Sequence, residues 1–310
     1  MPENTILLYV FFTLFILVML AIDLGVLHRT PRAISLKEAT LWSIVWIVLA
    51  LLFNAGILLY AGTTPALEFF TGYLIERALS MDNIFVFVII FSYFGVPPQY
   101  QHRVLFWGVV GALIMRSLFI WAGTALISQF EWILYIFGLI LILSGWKMMA
   151  EKGVEVHPEK NIFIRLTKKI FPVETGYDSP GFFVRKGGRL HITSMLLVLL
   201  TVETTDVVFA VDSIPAVFGI TRDPFIVYSS NIFAILGLRA MYFLLAGVMN
   251  TFYYLSHGLS LVLVFIGVKM LLADLYHIPI AIALGIVVLI LAVAVVASLV
   301  RNRRVAGKNN

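Results

Sequence analysis

Nine apolar runs, each about the length a helix needs to cross a bilayer, follow one another along the chain. A helix needs roughly 20 apolar residues to cross a hydrocarbon core, and there only helices or closed barrels satisfy their own backbone polar groups. The runs fall near residues 5–27, 36–60, 65–94, 104–127, 130–150, 190–218, 224–247, 251–273 and 277–300. Most connections between them are short and polar or proline-marked, such as HRTPR, GTTP, GVPPQ, TRDP and DLYHIP. The expectation is an all-α polytopic membrane protein of about nine transmembrane helices, a single transmembrane domain over 1–310. With 61% hydrophobic and 13% charged residues, the chain lacks the charge a soluble domain needs to cover its surface. The first run has no positively charged lead and continues past signal-peptide length, so it reads as the first transmembrane helix.

Lys and Arg placement sets the orientation. Arg29, Arg32 and Lys37 lie in the first connection and Arg103 in the third. Segment 151–189 holds Lys152, Lys160, Arg165, Lys168, Lys169, Arg185, Lys186 and Arg189, and the tail holds Arg301, Arg303, Arg304 and Lys308. All of these share one side if the N-terminus is outside and the C-terminus cytoplasmic; the opposite connections carry only Arg222, beside Asp223. The net charge of +5 is therefore a topology signal, with the lipid bilayer as partner and no nucleic acid. Within the basic cytoplasmic loop 151–189, NIFIRLTKKIF (161–171) sets apolar against basic positions at helical spacing. An interfacial helix on anionic headgroups has that pattern, and a plain solvated connector fits as well. FFVRKGGRLHI (182–192) reads as a hairpin turning at Gly187-Gly188. The chain has no cysteine, which excludes disulfides, thiolate metal sites and cysteine redox centres.

Two acidic stretches break the lipid logic. GYLIERALSMDNIFVFV (72–88) carries Glu76 and Asp82, and VETTDVVFAVDSIPAVF (202–218) carries Asp206 and Asp212 at the same spacing. The similarity continues downstream. GALIMRSLFIWAG and AILGLRAMYFLLAG align Arg116 with Arg239, and LILSGWKMM and LVFIGVKML align Lys147 with Lys269. Each unit, 65–150 and 190–273, contains three spans, an odd number, so the two enter the membrane from opposite sides. Spans 3–5 and 6–8 thus form an inverted repeat, with 277–300 as the last transmembrane helix. In transporters so built, substrate binds near the midplane at the repeat interface.

Six residues of helix rise about 9 Å and turn about 600°, leaving two side chains about 120° apart. Glu76 and Asp82 therefore cannot chelate one ion from a regular helix: either the helix breaks between them or they serve two levels. The inverted topology favours levels, with Glu76 opposite Asp212 and Asp82 opposite Asp206. Glu203 shares the face of Asp206. Two ionised carboxylates at one level repel unless a cation lies between them. Arg116 and Arg239, with Asn54, Ser80 and Ser213, are candidates to balance charge or gate; Ser80, Thr205 and Ser213 lie near the acids along the chain, and Asn54 of span 2 is a further oxygen donor. The candidate metal ligands are Glu76, Asp82, Asn83, Glu203, Asp206 and Asp212, an all-oxygen set that suits Mn²⁺, Mg²⁺ or Ca²⁺. Their need to be deprotonated for metal offers a route to proton exchange. Pro215 is expected to bend span 6 just after Asp212.

In GYLIERALSMDNIFVF, VETTDVVFAVDSIPAVFGITRDPF, SNIFAILGLRAMYFLLAG and YHIPIA, the chain resembles the TerC family of integral membrane proteins, especially its Alx-like branch. The resemblance covers about residues 20–300 and implies Mn²⁺ export across the bacterial inner membrane, with Glu76, Asp82, Glu203, Asp206 and Asp212 at the family's acidic positions. The leading reading is a divalent cation exporter working by alternating access, with Mn²⁺ as substrate and no permanently bound cofactor. The alternative is a non-transporting scaffold or metal-loading partner in a metal, pH or tellurite stress complex, and a homo-oligomer or a secretion-machinery partner stays open. An enzyme is not expected: the GxGD and HExxH signatures of intramembrane proteases are missing.

Overall fold

The structure, a computed structural model, describes residues 3–25, 35–150, 162–174, 176–177, 181–186, 188–246, 253–276 and 278–306. At 3–7, 22–25 and 303–306 it describes backbone alone. The described residues form eleven helices and three short strands. The helices are α1 (Glu3–Gly25), α2 (Leu36–Ala61), α3 (Thr63–Phe94), α4 (Pro98–Gln129), α5 (Ile133–Ala150), α6 (Ile162–Ile170), α7 (Ser194–Phe218), α8 (Pro224–Leu236), α9 (Leu238–Leu245), α10 (Leu255–Leu271) and α11 (Ile280–Ala306). The strands are β1 (Val173–Glu174), β2 (Phe183–Lys186) and β3 (Arg189–Thr193), in the order β1-β3-β2.

Helix ends follow local chemistry. Ser35 caps α2 by accepting from the Glu38 N–H at 3.3 Å. Gly95 ends α3 in the left-handed conformation at φ +62°, which glycine adopts without Cβ strain. Asp223 caps α8 by accepting from the Phe225 and Ile226 N–H groups at 2.8 and 3.2 Å, with Pro224 at the first helical position.

Each expected apolar range coincides with a helix or, for 224–247, with the pair α8 and α9. By length and apolar composition, α2, α4, α5, α7 and α11 can cross a bilayer, as can the bent pair α8–α9 taken as one span. The protein is a polytopic helical membrane protein. α10 and the side-chain-described part of α1, Leu8–Ala21, are shorter. α3 carries Glu68, Glu76, Arg77 and Asp82 and buries more than half its residues, so its neighbours rather than lipid surround it. It packs on α2, α7 and α8, while α4 packs on α7 and α8. α5 and α10 lie antiparallel, with Gly138 against Gly267 and Gly145 against Ser260. Between α8 and α9 the backbone bends by 40° at Gly237.

α7 runs as one unbroken helix through Pro215, the residue at which a bend after Asp212 was expected. Pro215 lies in the last turn, where the one backbone hydrogen bond it removes is close to the end anyway. Segment 151–161 of the basic loop lies outside the described residues, as do Gly187 and most of the first connection. Within the rest of that loop, α6 forms where helical spacing was expected. β2 and β3 form the expected hairpin, pairing Phe183 with Ile192 and Lys186 with Arg189. β1 joins it in parallel, Val173 beside Ile192.

Candidate functional site: an arginine clamp between two acidic helices

α3 is continuous from Thr63 to Phe94, so Glu76 and Asp82 lie at two levels of an unbroken helix. Glu76, Ser80 and Asn83 are buried on it, and Asp82 is half-buried. On α7, Asp206 and Ser213 are buried, while Glu203, Thr205 and Asp212 are half-buried.

Arg116 of α4 is 1% exposed and occupies the middle of this cluster. It forms an ion pair with Glu76 and a second with Asp206, Nε to Oδ2 at 3.4 Å and Nη2 to Oδ1 at 3.2 Å. Its Nη1 also donates to Ser213 Oγ at 3.2 Å and to Asn231 Oδ1 at 3.3 Å. Asn231 Nδ2 donates in turn to the second Glu76 oxygen at 3.1 Å. Four helices, α3, α4, α7 and α8, thus meet on one guanidinium, whose fork of five N–H donors can serve several acceptors at once.

This geometry corrects the expected pairing of levels. Glu76 shares its cation with Asp206, not with Asp212, and Asp82 does not face Asp206. A buried carboxylate needs a paired charge and hydrogen bonds, and Arg116 supplies both to two carboxylates at once. Asp82 instead lies beside the side chain of Ser256 of α10. Asp212 accepts from Ser144 Oγ of α5 at 2.5 Å, within the field of Lys147. Glu203 is outside the clamp's hydrogen bonds but within the field of Asp206, its carboxylate against the bare backbone of Gly111 in α4, where a Cβ would come within 2.0 Å of Oε1. Arg239 is buried on α9 at 7% exposure. Asn54 Oδ1 on α2, and Tyr73 Oη and Ser80 Oγ on α3, are among the buried polar atoms that have no hydrogen-bond partner among the described residues.

Among the described residues, no three His, Asp or Glu side chains converge as a ready-made metal cage. Arg116 sits where a cation between Glu76 and Asp206 would sit, and Asp82, Asp212 and Glu203 each have their own surroundings.

Asn231, Ser144, Ser256 and Arg77 were not among the residues expected from the sequence. Ser229-Ser230-Asn231, all fully buried, is a polar triplet within an otherwise apolar α8 and carried a readable signal. Arg77, 8% exposed, donates from Nη1 to the Ala234 carbonyl at 3.0 Å, near the end of α8. Its head fills the space a side chain at Gly237 would need, 2.1 Å from a Cβ there. A cation at a helix C-terminus meets the negative end of the helix dipole, which suits a bend that exposes carbonyls.

Residues 61–306 match the model of the integral membrane protein TerC family. The chain belongs to the TerC family. TerC relatives extend the match over nearly the full length. One, described as an uncharacterized membrane protein, from Myxococcus xanthus, is 48% identical over 94% of this chain and 92% of its own length. A protein of Salmonella typhi with the name "Putative membrane-bound redox modulator Alx" is 50% identical over 94% of each chain. A Rickettsia felis membrane protein is 39% identical over 96% of this chain and 98% of its own. No solved structure matches this TerC chain.

Proposed function

We propose that this TerC protein exports a divalent cation, Mn²⁺, from the cytoplasm of a bacterium across its inner membrane. In this reading nine spans cross with the N-terminus outside, and units 65–150 and 190–273 form an inverted repeat. One observation carries it. Asp82, from the first unit, meets Ser256 on the third helix of the second; Asp212, from the second, meets Ser144 on the third helix of the first. The Arg116 clamp on Glu76 and Asp206 is a separate pairing of the same two helices, α3 and α7.

The packing supports the same symmetry, since α3 on α8 is exchanged for α7 on α4, and α5 meets α10 antiparallel. Every donor near the acids is oxygen, the preference of hard cations. Of the five candidate carboxylates, Asp82, Asp212 and Glu203 lie outside the clamp, and Ser80 and Asn54 offer buried oxygens without a partner among the described residues. The acids release protons as they take metal, which gives a route to proton exchange. In a chain without cysteine, the redox effect in the Alx relatives' name is read as a consequence of metal traffic rather than of thiol chemistry.

A second reading, a non-transporting scaffold or metal-loading partner, draws on the folded unit of α6 and β1–β3 in the basic loop. Radioactive manganese flux in proteoliposomes, at two pH gradients and with Ca²⁺ and Mg²⁺ as competitors, separates the two. The transport reading expects manganese movement that Asp82→Asn and Asp212→Asn each abolish while the protein stays folded. No flux from the intact protein sinks it, because a scaffold moves no ion.

A further inference from the structure

α6 presents three faces. Its sequence, IFIRLTKKI, advances about 100° per residue. Ile164 turns inward and is buried against Ile192 of β3 and Leu197 of α7. Ile162, Phe163, Leu166 and Ile170 fall within about 100° of arc. They are exposed at 74%, 61%, 53% and 63%. Arg165, Lys168 and Lys169 fill the remaining arc, all exposed, and the helix holds no acidic residue. Water disfavours four large apolar side chains on one open face, and a basic flank beside them is the pattern of a helix lying in a membrane interface.

The position of α6 fits that surface. Tyr177 Oη donates to the Phe94 carbonyl at the end of α3 at 2.7 Å, and the Arg103 guanidinium of α4 lies 5.3 Å from the centre of the Phe182 ring. With Leu197 in the first turn of α7, these contacts fix the unit to the ends of three bundle helices on the side where α7 begins. We propose that α6 is an anionic-lipid-binding element: its apolar face enters the acyl boundary of that leaflet, and Arg165, Lys168 and Lys169 hold phospholipid phosphates. The inference stands on the membrane placement of α7 and not on the transport reading. In the orientation proposed above, the leaflet is the cytoplasmic one.

The absence of native cysteine makes a direct test practical. Full-length Phe163→Cys, Leu166→Cys and Lys168→Cys variants are spin-labelled singly and placed in vesicles of phosphatidylcholine, alone or mixed with phosphatidylglycerol. Labels at 163 and 166 are expected to be open to oxygen and shielded from a water-soluble nickel chelate, the label at 168 the reverse, most strongly with phosphatidylglycerol. Adding Arg165→Gln, Lys168→Gln and Lys169→Gln to the Leu166→Cys variant shifts the inserted–lifted equilibrium about a hundredfold and removes the lipid-charge dependence. The proposal is overturned if labels 163 and 166 stay equally open to nickel in both vesicles. Shielding from both reagents overturns it too, since the face is then covered by protein.

Discussion

Gly138 of α5 and Gly267 of α10 press backbone against backbone. A Cβ on Gly267 would lie 2.6 Å from the Gly138 carbonyl oxygen, and one on Gly138 would lie 3.0 Å from the Gly267 carbonyl oxygen. Along the same seam, a Cβ on Gly145 would lie 2.7 Å from the Ser260 carbonyl oxygen. Small residues are what allow two helices to approach this closely in lipid, where no hydrophobic force drives them together.

Gly267→Ala should therefore destabilise the bundle by about 1–3 kcal/mol, because the new methyl meets backbone that cannot step aside. Gly56→Ala in α2, with nothing within 4 Å of its Cβ, should be neutral or stabilising. Thermal unfolding of both variants in bicelles checks the contrast; equal loss in the two would refute it.

Arg116→Gln leaves Glu76 and Asp206 buried without their shared cation, which should cost about 3–5 kcal/mol. Adding Glu76→Gln should restore part of that loss, since a neutral amide no longer needs the missing charge. A double-mutant cycle of unfolding free energies reads the coupling, and additive losses would mean the two residues do not interact.

Gly111→Ala places a methyl where the Glu203 carboxylate now lies. The carboxylate is the far end of a flexible side chain, so the fold should survive with little change in melting temperature. On the export reading, manganese flux should fall in this variant and in Glu203→Gln alike. Wild-type flux in Gly111→Ala, with none in Glu203→Gln, would show that this placement of the carboxylate is immaterial.

Burial pushes the Tyr177 phenol up from its ordinary value, and the protonated form donates to the Phe94 carbonyl. Because the folded pKa lies above the unfolded value of about 10, the contribution to docking is full below that pH. It is lost as pH rises through the folded value. Proteolysis of the 171–193 segment should be flat through neutral pH and accelerate in alkali. Tyr177→Phe, lacking a hydrogen bond worth about 1 kcal/mol, should be cut faster through neutral pH and show no alkaline step, so the difference from wild type closes in alkali.

The positions of the helices were legible because lipid demands long apolar runs, and NIFIRLTKKIF and FFVRKGGRLHI announced α6 and the β2–β3 hairpin by their periodicity. The acids were legible because each is expensive in lipid. Their partners were not. Whether Arg116 lies beside Asp206 or Asp212 depends on how α4 crosses α7, and no pattern along one helix encodes that crossing. The bend at Gly237 was hidden because the group that packs against it, the Arg77 head, comes from a helix far away in the chain.

Glu76 and Arg77 are neighbours on α3, about 100° apart around its axis, and they reach different parts of the protein. One carboxylate enters the Arg116 clamp; the next side chain braces the elbow between α8 and α9. A rotation of α3 large enough to draw Glu76 out of the clamp would also swing Arg77 off the elbow. The clamp and the brace at the elbow thus hang on one peptide bond of α3.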